Sequence, residues 1–152
     1  MPAAGKNKKK KSEGFIIEHD VLIKAQAKKV FRAIATTEGV QGWWTPDCTV
    51  PEEQGAIAEF RFGGKDHMKM NIVKLDQNRL TTWKCTEGDT EWMDTTITFK
   101  LVPDGMATKL VFEHAGWKKK TESFKFCTER WGEYMHSIKQ YCETGVGKPY
   151  GQ

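Results

Sequence analysis

One long helical pattern ends a chain that otherwise consists mostly of short strand patterns. Between residues 121 and 144, apolar side chains recur at steps of three and four residues, the spacing of one helix face. The apolar stripe consists of Phe124, Cys127, Trp131, Met135, Ile138 and Cys142. Gly145 follows as a helix stop. A helix with one apolar face must be covered by another element, and this requirement restricts the architecture.

Strand patterns supply that cover. Between residues 56 and 114, apolar and polar residues alternate in five short segments that are separated by turn sequences. The segments are residues 56–62, 68–72, 79–86, 93–101 and 108–114. Each places its apolar residues on one side, which is typical of an antiparallel sheet with one buried face. We therefore predict an α+β fold in which a curved antiparallel sheet covers the long helix.

The N-terminal part of the chain adds one strand and two helices to this prediction. Residues 15–24 alternate as a strand, and residues 26–35 carry an apolar stripe at helical spacing. Thr36 or Thr37 is placed to cap a second, short helix that ends near Trp43. Two prolines, Pro46 and Pro51, then predict a loop.

Basic charge is concentrated at the start of the chain. Five lysines, Lys6 and Lys8–Lys11, lie there without any acidic residue, and subtracting them from the 24 basic residues leaves 19 against 20 acidic ones. We predict that residues 1–12 form a disordered lysine-rich tail and that residues 13–150 form a single domain. Such a tail is typical of a solvated arm, and weak contact with nucleic acid or anionic lipid is the alternative. No specific nucleic-acid partner is expected.

The cysteines and the hydropathy pattern indicate in which cellular compartment the chain is expected. None of Cys48, Cys85, Cys127 and Cys142 belongs to a C-x-x-C pair, which argues against a zinc site or a redox motif. Cys127 and Cys142 share the long helix, roughly 22 Å apart, and cannot bridge each other. No apolar run of about 18 residues and no secretory signal occur, so we expect no membrane span. Reduced thiols favour a cytoplasmic location.

Several segments, in the same order along the chain, resemble a known superfamily. They are Val21–Ala25, Lys29–Ile34, Gly42–Trp44, Phe60–Gly64, Thr96–Leu101, Thr108–Leu110, His114–Trp117 and Tyr141–Tyr150. With them the chain resembles the SRPBCC, or START-related, superfamily, and is most similar to the branch related to the C-terminal domain of the activator of heat-shock protein 90 ATPase. The paired tryptophans and the terminal Glu-x-Gly-x-Gly-x-Pro segment are the more specific parts. Gln26 is a departure, because the family often has proline there.

The resemblance implies a helix-grip fold with a cavity between the sheet and the C-terminal helix. It implies no fixed chemistry, because the superfamily includes lipid carriers, hormone receptors, polyketide cyclases and co-chaperone domains. The residues expected to line the cavity are Trp43, Trp44, Phe60, Phe62, Met68, Met70, Trp83, Phe99, Phe112, His114, Trp131 and Met135. Methionines suit a pocket with variable contents, but the same residues would also suit a solid core.

Three members of this set have alternative interpretations. Trp43 and Trp44 are either a gate to the cavity or a plug that closes the open end of the sheet. His114, at the end of an apolar strand, is either a general acid or base or a hydrogen-bonded core histidine. Asp94 and Glu113 alternate with apolar residues and are expected to face solvent. We assign no catalytic residue, metal ligand or cofactor from the sequence.

Three functions remain open at this stage. The first is binding of a small apolar or aromatic molecule in the cavity. The second is a protein-interaction domain that resembles the chaperone activator, with a chaperone as the partner. The third is a cyclase- or hydrolase-type enzyme that uses His114 and ordered water. The sequence contains no convergent acid–base pair, which counts against the third function.

Overall fold

The structure, a computed structural model, describes residues 14–64 and 67–152. In chain order the elements are β1 (Phe15–Ile23), α1 (Ala27–Ala35), α2 (Thr37–Trp43), β2 (Asp47–Thr49), β3 (Ile57–Arg61), β4 (His67–Asp76), β5 (Leu80–Glu87), a 3₁₀ turn (Thr90–Trp92), β6 (Thr96–Asp104), β7 (Ala107–Trp117) and α3 (Glu122–Thr144). The predicted lysine-rich tail, residues 1–12, lies outside the described residues.

The seven strands of the described residues form one antiparallel sheet in the order β1-β7-β6-β5-β4-β3-β2. Strands β2 to β7 follow one another as a meander, and β1 lies beside β7 with Ile23 opposite Thr108. Register shifts interrupt the pairing between Lys69 and Met70 and again between Ile72 and Lys74. Such bulges bend and twist a sheet, which lets it curve around the long helix. The predicted α+β helix-grip fold is confirmed.

Local signals fix the ends of the helices. The Thr36 hydroxyl accepts a hydrogen bond from the Gly39 amide at 3.0 Å, so the predicted cap of the short helix is Thr36. Thr121 caps α3 through the Phe124 amide at 3.2 Å. Gly145 ends α3 with φ of 90°, the left-handed conformation that favours glycine. The predicted ends of the long helix are therefore confirmed.

Several predicted boundaries were wrong. Strands β4 and β7 continue to Asp76 and Trp117, past the predicted ends at residues 72 and 114, because pairing with neighbouring strands extends them. The segment assigned to a loop contains β2, in which Cys48 pairs with Phe60 on the edge of the sheet. Three residues are too few for an alternation to be visible in the sequence. Strand β6 begins at Thr96 rather than at residue 93, because the 3₁₀ turn and the positive φ of Asp94 (66°) break the extended backbone before it.

The sheet and the helices enclose one apolar core. All six residues of the predicted α3 stripe are buried in it, including Trp131 and Ile138. The four cysteines are free thiols and are buried as well. Within residues 14–64 and 67–152, no helix is long and apolar enough to cross a membrane.

Candidate functional site

The paired tryptophans at the end of α2 lie inside the molecule. Trp43 has no exposed surface, and its indole N–H donates to the Ala33 carbonyl at 2.7 Å. Trp44 packs against Phe60 with ring centroids 4.7 Å apart and against Trp131 at 5.2 Å. These contacts join α2, the sheet and α3 in one aromatic cluster. In this arrangement Trp43 packs in the core, and Trp44 forms the inner wall of a pocket.

That pocket lies beside the N-terminal half of α3 and has a volume of about 340 Å³. Its walls come from the end of α2, the ends of β3 and β5, the start of β4, the 3₁₀ turn, α3 and the C-terminal segment. The lining residues are Trp44, Phe62, His67, Met68, Asp89, Trp92, Ser123, Phe126, Cys127, Arg130, Trp131, Tyr134 and Tyr150. Seven of these thirteen residues are tryptophan, phenylalanine or tyrosine, so the surface offered to a ligand is largely apolar.

Four of the twelve predicted cavity residues line this pocket, namely Trp44, Phe62, Met68 and Trp131. The other eight lie in the packed core beneath it: Trp43, Phe60, Met70, Trp83, Phe99, Phe112, His114 and Met135. The structure thus separates the predicted set into a wall and a core. Phe60, Trp83 and Phe99 pack against Trp43 and Trp44 at the end of α2. Phe112 and His114 instead meet Trp131 on α3.

His114 is fully buried between the sheet and α3 and has partners on both ring nitrogens. Its Nδ1 accepts a hydrogen bond from the Trp131 indole N–H at 3.1 Å. Its Nε2 lies 2.9 Å from the Thr95 hydroxyl, which itself donates to the Trp92 carbonyl at 2.6 Å. Because an indole only donates and the Thr95 hydrogen is already used, the proton of the neutral imidazole resides on Nε2.

Burial lowers the pKa of His114 from 6.5 to about 3. The imidazole is therefore neutral at physiological pH, and each of its nitrogens is already hydrogen-bonded. The ring has no nitrogen left to exchange a proton with a bound molecule. This geometry joins β7 to α3 and gives no support to an enzyme built around His114.

Arg130 and Tyr134, the pocket residues farthest along α3, form a polar end of the pocket. Arg130 donates from Nη2 to the Tyr134 hydroxyl at 2.9 Å and from Nη1 to the Glu133 carboxylate at 2.7 Å. The guanidinium also lies over the Tyr134 ring, 5.0 Å from its centroid. Burial raises the pKa of the Tyr134 hydroxyl, and the neighbouring Arg130 partly offsets that rise. Tyr134 is consequently a neutral hydroxyl at physiological pH.

A short C-terminal segment, residues 146–150, closes one side of the pocket. The Tyr150 amide donates to the Trp44 carbonyl at 2.7 Å, and the Tyr150 ring meets Phe62 edge-on at 5.5 Å. Farther back, the buried Ser137 hydroxyl donates to the Trp43 carbonyl at 2.9 Å and accepts from the Lys148 amide at 2.8 Å. The segment is thus attached to both α2 and α3 before it reaches the pocket.

Sequence reasoning missed most of the pocket residues on α3. A second stripe runs beside the apolar one and consists of Ser123, Phe126, Arg130 and Tyr134. These residues are also separated by three and four positions, so helical spacing alone could have found them. The stripe was missed because it mixes one serine and one arginine with two aromatic residues, and such a mixture does not indicate a buried helix face. Trp92, Asp89 and Tyr150 come from distant segments and carry no comparable signal.

Among the described residues, the titratable groups that line the pocket include one thiol, that of Cys127. Cys127 is a pocket residue, and burial raises the pKa of its thiol, so the nucleophilic thiolate is disfavoured. Within the residues that the structure describes, no group of three or more His, Cys, Asp or Glu is placed to hold a metal ion. The pocket offers apolar surface together with the donors of Arg130 and Tyr134 and, near the 3₁₀ turn, the Asp89 carboxylate, which accepts from the Glu91 amide.

A curved antiparallel sheet that holds one long helix, with a pocket beside that helix, defines a helix-grip protein of the SRPBCC type. The family model described as Activator of Hsp90 ATPase homolog 1-like protein matches residues 24–143. The chain belongs to this family, and the resemblance inferred from its sequence segments is confirmed. A search of curated proteins gave no match.

Solved structures agree with this assignment. The Aha1 dimer from Colwellia psychrerythraea is 30% identical, with a TM-score of 0.79 over 88% of this chain and 99% of that one. Protein SSP2350 from Staphylococcus saprophyticus is 19% identical, with a TM-score of 0.74 over 88% and 96% of the two chains. Protein MLL2253 from Mesorhizobium loti is 15% identical, with a TM-score of 0.74 over 83% and 95%. The last two similarities concern the fold alone.

Proposed function

We propose that this protein binds a small apolar or aromatic molecule in the pocket beside α3. The observation that carries the proposal is a pocket of about 340 Å³ with Trp44 and Trp131 in its wall. Pockets for small molecules typically span about 300–1,000 Å³ and combine apolar walls with a few polar groups. This pocket is at the lower end of that range and has both properties.

Ligand binding has a direct test with a matched pair of variants. Ser123 lines the pocket, so Ser123→Phe places a ring in the space that a ligand would occupy. Lys125 is exposed on the opposite side of the same turns, so Lys125→Phe adds the same ring outside the pocket. The wild-type protein and both variants are screened against fatty acids, flavonoids and aromatic acids by thermal unfolding.

A ligand at 100 times its dissociation constant stabilises the native state by about 2.7 kcal/mol. For a domain of this size, that raises the unfolding temperature by roughly 5–10 °C. We expect at least one compound to stabilise the wild type and the Lys125→Phe variant but not the Ser123→Phe variant. A response that survives Ser123→Phe would place binding elsewhere. Native mass spectrometry of the purified protein checks whether a small molecule is already retained.

A chaperone contact is the second candidate, and the family relationship favours it. The chain is 30% identical over 88% of its length to a protein named Aha1, and its family is described by homology to an Hsp90 ATPase activator. Exposed apolar side chains such as Phe126, at 62% exposure on the pocket rim, offer a surface for a protein partner. Stimulation of a purified Hsp90 ATPase that Phe126→Ser removes would support this candidate over ligand binding.

A further inference from the structure

The polar end of the pocket offers mainly donors. Arg130 has five N–H groups, and among the described residues it uses two, towards Glu133 and the Tyr134 hydroxyl. The Tyr134 oxygen already accepts from Arg130, and within the described residues its own hydrogen has no acceptor. Two pocket side chains therefore present unused donors next to each other, and both reach the wall of the same cavity.

The body of the pocket has the opposite character. Trp44, Trp92 and Trp131 contribute indole rings, and the ring centroids of Trp92 and Trp131 lie 6.1 Å apart. Phe62 and Tyr150 close another side with an edge-on contact. Rigid aromatic walls favour flat aromatic ligands, because ring faces and edges pack against them with little loss of conformational entropy.

We propose that the occupant of this pocket is an aromatic carboxylic acid, with its ring system against the aromatic wall of the pocket and its carboxylate on Arg130 and Tyr134. The inference rests on the proposed ligand-binding function and names the chemical class of the ligand. A carboxylate supplies two acceptor oxygens, matching the guanidinium fork and the phenol hydroxyl, and bonds of this charge-assisted kind are the strong ones.

The Glu133 carboxylate is the negative charge paired with Arg130 at the polar end of the pocket. It is bonded to Arg130 at 2.7 Å, but the Glu133 side chain is 65% exposed. The pair with Glu133 therefore weakens the field of Arg130 without occupying its remaining donors. Removing this competing carboxylate should tighten the binding of an anionic ligand and should leave the binding of a neutral one unaffected. Loss of the Arg130 charge should weaken the binding of the anionic ligand, so substitutions at Arg130 and Glu133 should have opposite effects.

The test compares biphenyl-4-carboxylic acid with biphenyl-4-carboxamide, which has the same shape but no charge, by calorimetric titration of the full chain at pH 7. We expect the acid to bind at least about tenfold more tightly, as a charge-assisted hydrogen bond implies. Arg130→Gln should reduce the acid to the affinity of the amide, and the amide should change by less than about twofold. Glu133→Gln should tighten the acid only.

Two further variants keep the experiment decisive. Arg130→Lys retains the charge but loses the fork, so the acid preference should fall even if Arg130→Gln does not fold. Arg79 is exposed at a turn far along the chain, and Arg79→Gln should leave both affinities unchanged. Equal binding of acid and amide by the wild type overturns the carboxylate assignment and leaves the ligand-binding function standing. Absence of binding by both probes at millimolar concentration rejects both.

Discussion

Trp131 on α3 donates its indole N–H to Nδ1 of His114 on β7 at 3.1 Å, and both side chains are buried. The bond joins the long helix to the centre of the sheet directly behind the pocket wall. It also fixes the tautomer of the histidine, whose other nitrogen lies 2.9 Å from the Thr95 hydroxyl. An unpaired polar atom at this depth would be costly, so the network should contribute measurably to stability.

Thr95→Val tests that network. Valine has the shape of threonine but leaves the Nε2–H of His114 and the Trp92 carbonyl without their partner. We expect a loss of about 1–3 kcal/mol in the free energy of unfolding, measured by urea denaturation. Thr96→Val is the matched control, because Thr96 is the next residue along the chain and is only half-buried. It should change the free energy of unfolding by less than about 0.5 kcal/mol. Equal effects of the two variants would contradict the role of the network.

His114 also makes stability depend on pH. Burial lowers its pKa from 6.5 to about 3, so between these values the unfolded chain binds a proton that the folded chain does not. Stability should therefore rise with pH through this window and be lost as pH falls from about 6.5 towards 3. Relative to His114→Gln, which cannot titrate, the wild type should lose roughly 2 kcal/mol between pH 7 and pH 5. If the free energies of unfolding of the two proteins changed in parallel with pH, the pH dependence would not come from residue 114.

Ser137→Ala should loosen the C-terminal segment. The Ser137 hydroxyl is buried and bonds both the Trp43 carbonyl and the Lys148 amide. Its removal leaves two backbone groups unpaired, and we expect a cost of about 1–2 kcal/mol. Amide hydrogen exchange at Lys148 and Tyr150 should accelerate more than exchange in the sheet. The other serine of α3, Ser123, is the control, and Ser123→Ala should leave exchange of this segment unchanged.

Met70→Trp distinguishes core from pocket at a residue first predicted to line the cavity. Met70 has no exposed surface and lies opposite Ala58 and Cys85 in the sheet. A larger side chain there should overpack the core and lower the free energy of unfolding by about 1–3 kcal/mol. Met106→Trp is the control, because Met106 is 78% exposed and has room for the ring. An unchanged or raised stability of Met70→Trp would reveal free space beside it.

The periodic elements of this protein could be predicted from sequence. The α3 stripe, its stop at Gly145 and the alternation in the longer strands depend on local spacing, and the structure has these elements at the predicted places, although β4 and β7 run past their predicted ends. Strand β2 was missed because its three residues are held by pairing with β3 rather than by any pattern of their own. The start of β6 was missed for a related reason, since a turn and one positive φ at Asp94 interrupt it.

The sequence by itself determined that a single-faced sheet had to cover a single-faced helix, because alternation and helical spacing dictate which side of each element avoids water. Only the tertiary structure decided which inward residues are core and which are pocket wall. Met68 and Met70 have the same chemistry two positions apart, yet only Met68 reaches the pocket. The difference arises because the curvature of the sheet and the path of residues 146–150 leave a gap at one end of α3, and neither depends on local spacing.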